Sequence, residues 1–129
     1  MSVAISITMK ALIILAHGSR RQESNKEIIT LAKEVKIIAG NEYKIIEPAY
    51  LEIVDPTLLQ SIDQVVEAGI SDITVLPYFL NSGNHVKRDI PAMIETATYK
   101  YPECRFKISA FIGKFEGMPD LILKQARLS

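Results

Sequence analysis

The sequence has little that would tie it to a disulfide framework, a nucleic acid or a membrane. Its 129 residues include one cysteine, Cys104, which has no partner for an internal disulfide. The 15 basic residues balance the 15 acidic ones, whereas a dedicated nucleic-acid binder normally shows a basic excess. No apolar run approaches the roughly 20 residues that cross a bilayer, and the N-terminus lacks the cationic start of a secretory signal. We therefore expect a cytoplasmic protein without membrane or nucleic-acid partners.

The length and composition indicate one globular domain. A chain of 129 residues with 48% apolar and 23% charged residues can bury a single core, and it is too short for two. Residues 1–8 are interpreted as an N-terminal extension and residues 9–129 as the domain. Neither G-x-G-x-x-G nor G-x-x-x-x-G-K-[ST] occurs in the sequence, which weakens nucleotide-binding interpretations.

Short apolar runs alternate with stretches of helical spacing. The apolar runs predict strands at residues 11–16, 43–50, 73–77 and 105–110, and the spacing of apolar residues predicts a helix after each of them. Ser24 and Glu27 have the spacing of a capping box, and a helix start one turn earlier is the alternative. The pair Asp55 and Pro56 is a predicted helix start, and Gly40 and Gly69 are predicted helix ends. Continuous apolar runs are typical of strands covered on both faces, so the pattern predicts an α/β fold with a four-stranded parallel sheet between two helical layers.

Unusual polar residues follow the predicted strands. His17 comes directly after the first strand, Glu52 lies just after the second, and His85 lies in the polar stretch after the third. In open parallel sheets, ligands bind beyond the carboxyl ends of the strands, so these residues are expected at one edge. Imidazole and carboxylate suit Fe, Co, Ni and Zn, and imidazole also accepts protons near neutral pH. A site with so few protein ligands would hold a metal loosely enough to pass it on.

Each of these residues also has a plain structural interpretation. A single loop histidine is more often a surface or hydrogen-bonded residue than a ligand. Glu52 alone could be solvated, and the basic residues Arg20, Lys87 and Arg88 could be ordinary surface charges or could attract an anionic substrate. What favours function is that both histidines of the chain, His17 and His85, fall on the ligand-binding edge.

The same edge residues resemble a known family. The stretches LIILAHGSR (12–20), YLE (50–52), DP (55–56) and PYFLNSGNHVKRDIP (77–91) resemble the CbiX family of sirohydrochlorin chelatases, and the likeness runs from residue 9 to about residue 123. The resemblance implies a flavodoxin-like, chelatase-like three-layer sandwich. It implies an ATP-independent lyase, of the sirohydrochlorin cobaltochelatase type, that inserts a divalent metal into sirohydrochlorin, an anionic tetrapyrrole. Cobalt insertion for cobalamin is expected first, and iron insertion for siroheme and nickel insertion for a nickel tetrapyrrole remain alternatives.

The resemblance also implies roles for single residues. His17 and His85 correspond to the metal-handling histidines and act as catalytic residues with Glu52, whose role transfers less directly. The metal is a substrate, and no permanently bound cofactor is expected. The stretch after Gly113 lacks a histidine often seen there, so no ligand is assigned to it. A chain of this length resembles the short form of the family, in which a homodimer encloses the cleft. The predicted substrate-binding residues are Arg20, Ser82, Gly83, Lys87 and Arg88.

Two other functions stay open on the sequence. A non-catalytic carrier of metal or tetrapyrrole could use the same edge, and only turnover of sirohydrochlorin would separate it from an enzyme. A flavodoxin-like module that binds FMN is less well supported. Its phosphate loop would be rich in hydroxyl and amide groups, whereas this first loop carries a histidine and two arginines, Arg20 and Arg21.

Overall fold

The computed structural model describes residues 9–129, with the side chain of His85 left out, and the predicted extension at residues 1–8 lies outside the described residues. The strands are β1 (Lys10–Ala16), β2 (Ile45–Tyr50), β3 (Asp72–Pro77) and β4 (Arg105–Ile108). The helices are α1 (Gln22–Ala39), α2 (Leu58–Glu67), α3 (Ile90–Lys100) and α4 (Met118–Arg127). A π-helix (His85–Asp89) leads into α3, and a 3₁₀ helix (Ile112–Lys114) precedes α4. None of the helices in this part of the chain is long and apolar enough to cross a membrane.

Within the described residues, the strands form one parallel sheet in the order β2-β1-β3-β4. The predicted four-stranded parallel sheet is confirmed. Ala16, at the end of β1, lies opposite Tyr50 of β2, and Leu15 lies opposite Pro77 of β3. The chain passes from β1 to β2 on one side and then crosses to β3 on the other. The end of β1 is therefore the point where the connections diverge and leave a crevice.

The predicted helical layers on both faces are also confirmed. On one face, side chains from β1 and β3 pack without solvent exposure against residues of α2 and α3, and this face is called the closed face below. The opposite face is covered by α1 and α4 and retains an apolar groove of about 400 Å³ between them. The buried strand side chains of this core are Ala11, Ile13, Leu15, Ala49, Ile73 and Val75.

The first helix takes the earlier of its two predicted starts, with Arg21 as the cap, and the predicted start of the second helix at Asp55 is wrong. Ser24 already lies inside the first turn of α1, because its N–H donates to the carbonyl of Arg21 at 3.1 Å, so it cannot be the cap. Asp55 and Pro56 form a bend before the helix, and the carbonyl of Pro56 accepts a hydrogen bond from Tyr50 N–H at 2.9 Å, so the helix does not begin there.

Thr57 is instead the N-terminal cap of α2. Its side chain accepts a bond from Gln60 N–H at 3.2 Å, and the Gln60 side chain accepts one from Thr57 N–H at 2.9 Å. The predicted end of α1 at Gly40 is confirmed, with a positive φ of 59° that glycine adopts readily. The predicted second strand is shorter than expected, because β2 begins at Ile45 rather than at Tyr43.

Candidate functional site

The ends of β1 and β2 bring His17 and Glu52 together. His17 Nε2 lies 3.0 Å from Glu52 Oε1, which is hydrogen-bond distance. The two side chains are 47% and 54% exposed, so the pair is open to a ligand from solvent. The predicted meeting of these two residues at the carboxyl edge of the sheet is therefore observed. Their roles in metal handling and catalysis stay predictions.

The two loops that carry this pair are packed directly against each other. Glu52 N–H donates to the carbonyl of His17 at 3.2 Å, which extends the pairing of β1 and β2 past the strand ends. Gly18 has a φ of +95°, and a Cβ atom added there would lie 2.0 Å from the backbone oxygen of Glu52. Glycine is required at this position on two counts, the backbone conformation and the missing side chain. Ile53, the next residue after Glu52, also has a positive φ, of 74°.

The third wall of the site comes from the segment after β3. The ring of Phe79 meets the His17 ring edge-on, with centroids 6.3 Å apart, and limits where the imidazole can turn. The carbonyl of Phe79 accepts a bond from Gly113 N–H at 2.9 Å, which fixes this segment against the 3₁₀ helix. The backbone of His85 begins the π-helix that follows, and its side chain is outside the description.

The predicted substrate-binding residues fall on the same edge of the sheet. Arg20 lies in the loop after β1, Ser82 and Gly83 lie in the loop after β3, and Lys87 and Arg88 lie on the π-helix. All five residues are exposed to solvent. They are therefore available to an anionic ligand that covers this edge, and their contacts with substrate stay predictions.

Two residues that the sequence analysis missed tie the loops of the site to the fold. The side-chain amide of Asn25 bonds to both the N–H and the carbonyl of Ser19, and the hydroxyl of Tyr50 donates to the carbonyl of Asn25 at 2.8 Å. The signal for Asn25 was present in the sequence. It continues the buried stripe of α1 backwards from Ile28 and Ala32 at helical spacing, so it is a polar residue in an apolar position.

The site offers a nitrogen and a carboxylate ligand that can also accept protons. Both groups sit at the surface end of a rigid strand pair, so a metal could approach them from solvent and leave again. Among the side chains that the structure describes, no group of three or more His, Cys, Asp or Glu could hold a metal ion. His85 is not among those side chains.

Together, the fold and the site define a parallel α/β domain with an exposed histidine–carboxylate pair at the carboxyl edge of its sheet. The model of the CbiX family matches residues 11–128. The chain belongs to the CbiX family, which confirms the resemblance drawn from the sequence.

Curated relatives and solved structures agree with this assignment. The chain is 40% identical over 86 residues to the sirohydrochlorin cobaltochelatase of Methanococcus maripaludis and 44% identical over 86 residues to that of Methanococcus aeolicus. Each match covers 67% of this chain and only 58% and 59%, respectively, of the relatives.

A CbiX protein from Marinobacter aquaeolei VT8 superposes with a TM-score of 0.78 at 28% identity, over 92% of this chain and 93% of that one. The sirohydrochlorin chelatase SirB from Bacillus subtilis subspecies spizizenii, in complex with cobalt, gives a TM-score of 0.81 at 26% identity. That match covers 92% of this chain and 50% of SirB, so this chain spans about half of the SirB chain.

Proposed function

We propose that this protein is a sirohydrochlorin chelatase that inserts Co²⁺ into the tetrapyrrole. The observation that carries the proposal is the exposed pair of His17 Nε2 and Glu52 Oε1, 3.0 Å apart at the end of the central strand. Family membership and the names of the two Methanococcus relatives support the substrate and the metal. Iron and nickel use the same ligand types, so the choice of cobalt rests on those relatives.

The chemistry of insertion requires groups that bind a cation and groups that remove protons. As M²⁺ enters the ring, two pyrrole N–H protons leave, so charge is conserved. His17 and Glu52 bind the incoming ion and then take up the released protons, because the ion and the protons use the same lone pairs. His85 supplies a further ligand and base in this proposal. The metal is a substrate, and no nucleotide or permanently bound cofactor takes part.

The exposed basic residues at the edge bind the substrate. The carboxylates of sirohydrochlorin pair with Arg20, Lys87 and Arg88, with the arginines offering bidentate geometry. Ser82 and Gly83 contribute hydroxyl and backbone groups beside them. Binding at the periphery of the ring holds the pyrrole nitrogens over the ligands and supports a bent macrocycle, in which the nitrogen lone pairs point toward the metal.

We further propose that the protein acts in the cytoplasm as a homodimer. Two copies supply about as much chain as one SirB, of which this chain covers half. The exposed apolar side chains of α4 and the groove beside them offer a surface for the second copy, since large apolar patches mark interfaces. A dimer with two-fold symmetry would place two edges around one cleft.

The test is insertion of Co²⁺ into sirohydrochlorin, followed by the change in absorbance of the ring. The wild type is expected to turn over, and His17→Ala, His85→Ala and Glu52→Gln are each expected to lose at least about a hundredfold in rate. Glu67→Gln, which neutralises an exposed carboxylate at the end of α2, is the control and should keep the wild-type rate. Binding of cobalt and sirohydrochlorin without turnover would contradict the enzyme and favour the carrier.

A further inference from the structure

We propose that Asn25 is a positioning residue that sets the geometry of the His17–Glu52 pair, and that it does so with the Tyr50 hydroxyl. The expected effect on activity rests on the proposed function, and the effect on the geometry of the pair does not. Asn25 lies one turn into α1 and is only 8% exposed. It acts through the loops that carry His17 and Glu52.

The side chain of Asn25 holds the loop after β1 by two hydrogen bonds. Its Oδ1 accepts from Ser19 N–H at 2.9 Å, and its Nδ2 donates to the Ser19 carbonyl at 2.7 Å. Both polar backbone atoms of Ser19 are thereby fixed by a single amide group. Because Ser19 is two residues after His17, these bonds limit how far the His17 backbone can shift.

The backbone of Asn25 holds the end of β2, from which the chain continues to Glu52. Its carbonyl accepts the Tyr50 hydroxyl at 2.8 Å, and Tyr50 is 1% exposed. Tyr50 is two residues before Glu52, so the same residue of α1 anchors both members of the pair.

The two anchored loops transmit a displacement to each other. Gly18 packs so closely on Glu52 that an added Cβ would overlap the Glu52 backbone oxygen, and Glu52 N–H bonds to the His17 carbonyl. A loop released from Asn25 therefore moves its partner as well. A shift of about 1 Å in reacting groups is enough to cost on the order of a hundredfold in rate.

The chemistry of the anchor requires an amide. A carboxylate of the same size accepts the Ser19 N–H bond, but it has no hydrogen to donate to the Ser19 carbonyl and repels that oxygen instead. Asn25→Asp therefore removes one of the two bonds and changes little in volume. Tyr50→Phe removes only the hydroxyl that bonds to the Asn25 carbonyl, so each variant tests one arm of the anchor.

The first experiment compares kcat and the KM for Co²⁺ in these variants with a matched tyrosine variant. Asn25→Asp is expected to lower kcat about tenfold or more, and Tyr50→Phe by a smaller factor. Tyr101→Phe removes a tyrosine hydroxyl that bonds to Asp63 between α3 and α2, away from the site, and should leave kcat and KM unchanged. Equal losses of kcat in Tyr50→Phe and Tyr101→Phe would overturn the proposal, because the effect would then follow lost stability alone.

A double-variant comparison tests whether Asn25 acts through the pair. If Asn25 works by holding Glu52 against His17, then Asn25→Asp lowers kcat much less in a Glu52→Gln protein, where that contact is already weakened. If the losses of kcat in the two single variants multiply in the double variant, the two substitutions act independently, and the positioning role is contradicted. When the pH is lowered enough to protonate the new carboxyl group of Asn25→Asp, kcat should recover toward wild type, because a protonated acid can donate to Ser19. Such a recovery would support the positioning role.

The last measurement needs no activity. In a His85→Ala protein, His17 is the sole histidine of the chain, so its ring ¹⁵N chemical shifts can be assigned directly. At a fixed alkaline pH, these shifts report the tautomer and the bond to Glu52. Asn25→Asp and Tyr50→Phe should change them, and Tyr101→Phe should not. Unchanged chemical shifts in both site variants would overturn the proposal, even if insertion activity were never detected. If Asn25→Asp does not fold, the result for Tyr50→Phe decides the question.

Discussion

The two faces of the sheet are covered to very different degrees. On the closed face, Ile13, Ile73 and Val75 have no exposed surface and pack against two helices that bury their own apolar stripes. On the opposite face, Leu12 and Leu76 are half-buried and line the groove between α1 and α4. Since burial of apolar surface drives folding, the closed face contributes most of the stability.

The difference extends to the helices themselves. The helix α2 buries Leu58, Ile62 and Val65, whereas α4 buries none of its residues and leaves Leu121, Ile122 and Leu123 more than half exposed. An amphipathic helix without a covered apolar face is typical of a surface that is completed by another chain. One face thus holds the fold together, while the other is available for association.

The largest expected effect comes from a cavity on the closed face. Ile73→Ala is expected to lower the free energy of unfolding by about 2–5 kcal/mol, because a buried side chain is lost and the packed helices cannot close the gap. Leu12→Ala in the groove should cost on the order of 1 kcal/mol, since part of that side chain is already in water. Urea unfolding of both variants measures the difference, and equal losses would refute the contrast between the faces.

The second effect concerns association through the groove face. Leu121→Asp places a charge on the exposed apolar side of α4 and is expected to convert the proposed dimer into a monomer by sedimentation velocity. The control is Ile38→Asp, which places the same charge at an 86% exposed position near the end of α1 and should leave the mass unchanged. A dimer that survives Leu121→Asp would show that α4 is not part of the interface.

The smallest expected effect is an acid-dependent loss of folding stability. It concerns the hydrogen bonds at Asp63 that join the closed-face helices α2 and α3, called the tie below. Hydrogen bonds from Tyr101 and then Lys100 hold the pKa of Asp63 below its usual range. The unfolded chain therefore binds this proton more readily, and the stabilisation is complete above the unfolded pKa and is lost as the pH falls through the folded one.

Wild-type protein should accordingly lose more stability than Asp63→Asn as the pH drops from about 5 to about 3. Urea unfolding at the two pH values measures this, with Asp120→Asn on the opposite-face helix α4 as the control for general acid effects. A loss of equal size in wild type and in Asp63→Asn would contradict the assignment to this tie.

Much of the fold could be predicted because apolar runs and helical spacing are local signals. The strands after which His17 and Glu52 stand were visible as such runs, and the rule for parallel sheets then placed both residues at one edge. The helix start predicted at Asp55 is wrong, and α1 takes the alternative start before Ser24, for a physical reason. Both residues are good caps by type, but backbone bonds made elsewhere in the chain, such as that from Tyr50 to Pro56, decide where the helix can begin.

The parts of the site that could not be predicted depend on contacts between distant residues. The bond from Tyr50 to Asn25 spans 25 positions, and nothing in the local pattern around Tyr50 indicates a buried hydroxyl with a backbone partner. Thr57 and Gln60 form a readable capping pair, so that start could have been found from the sequence. The distance between His17 and Glu52 required the fold itself.

The contact between Gly18 and the Glu52 carbonyl restricts how this edge of the sheet can diversify. A side chain at Gly18 would overlap the backbone oxygen of Glu52 and push the two connections, and with them the imidazole and the carboxylate, apart. Adaptation to a bulkier ring or a different ion is therefore left to residues 81–84 in the loop after β3, which are all exposed, and where a Cβ added at Gly83 would meet no atom within 4 Å. Family members that prefer another ring or another ion should differ in this stretch first.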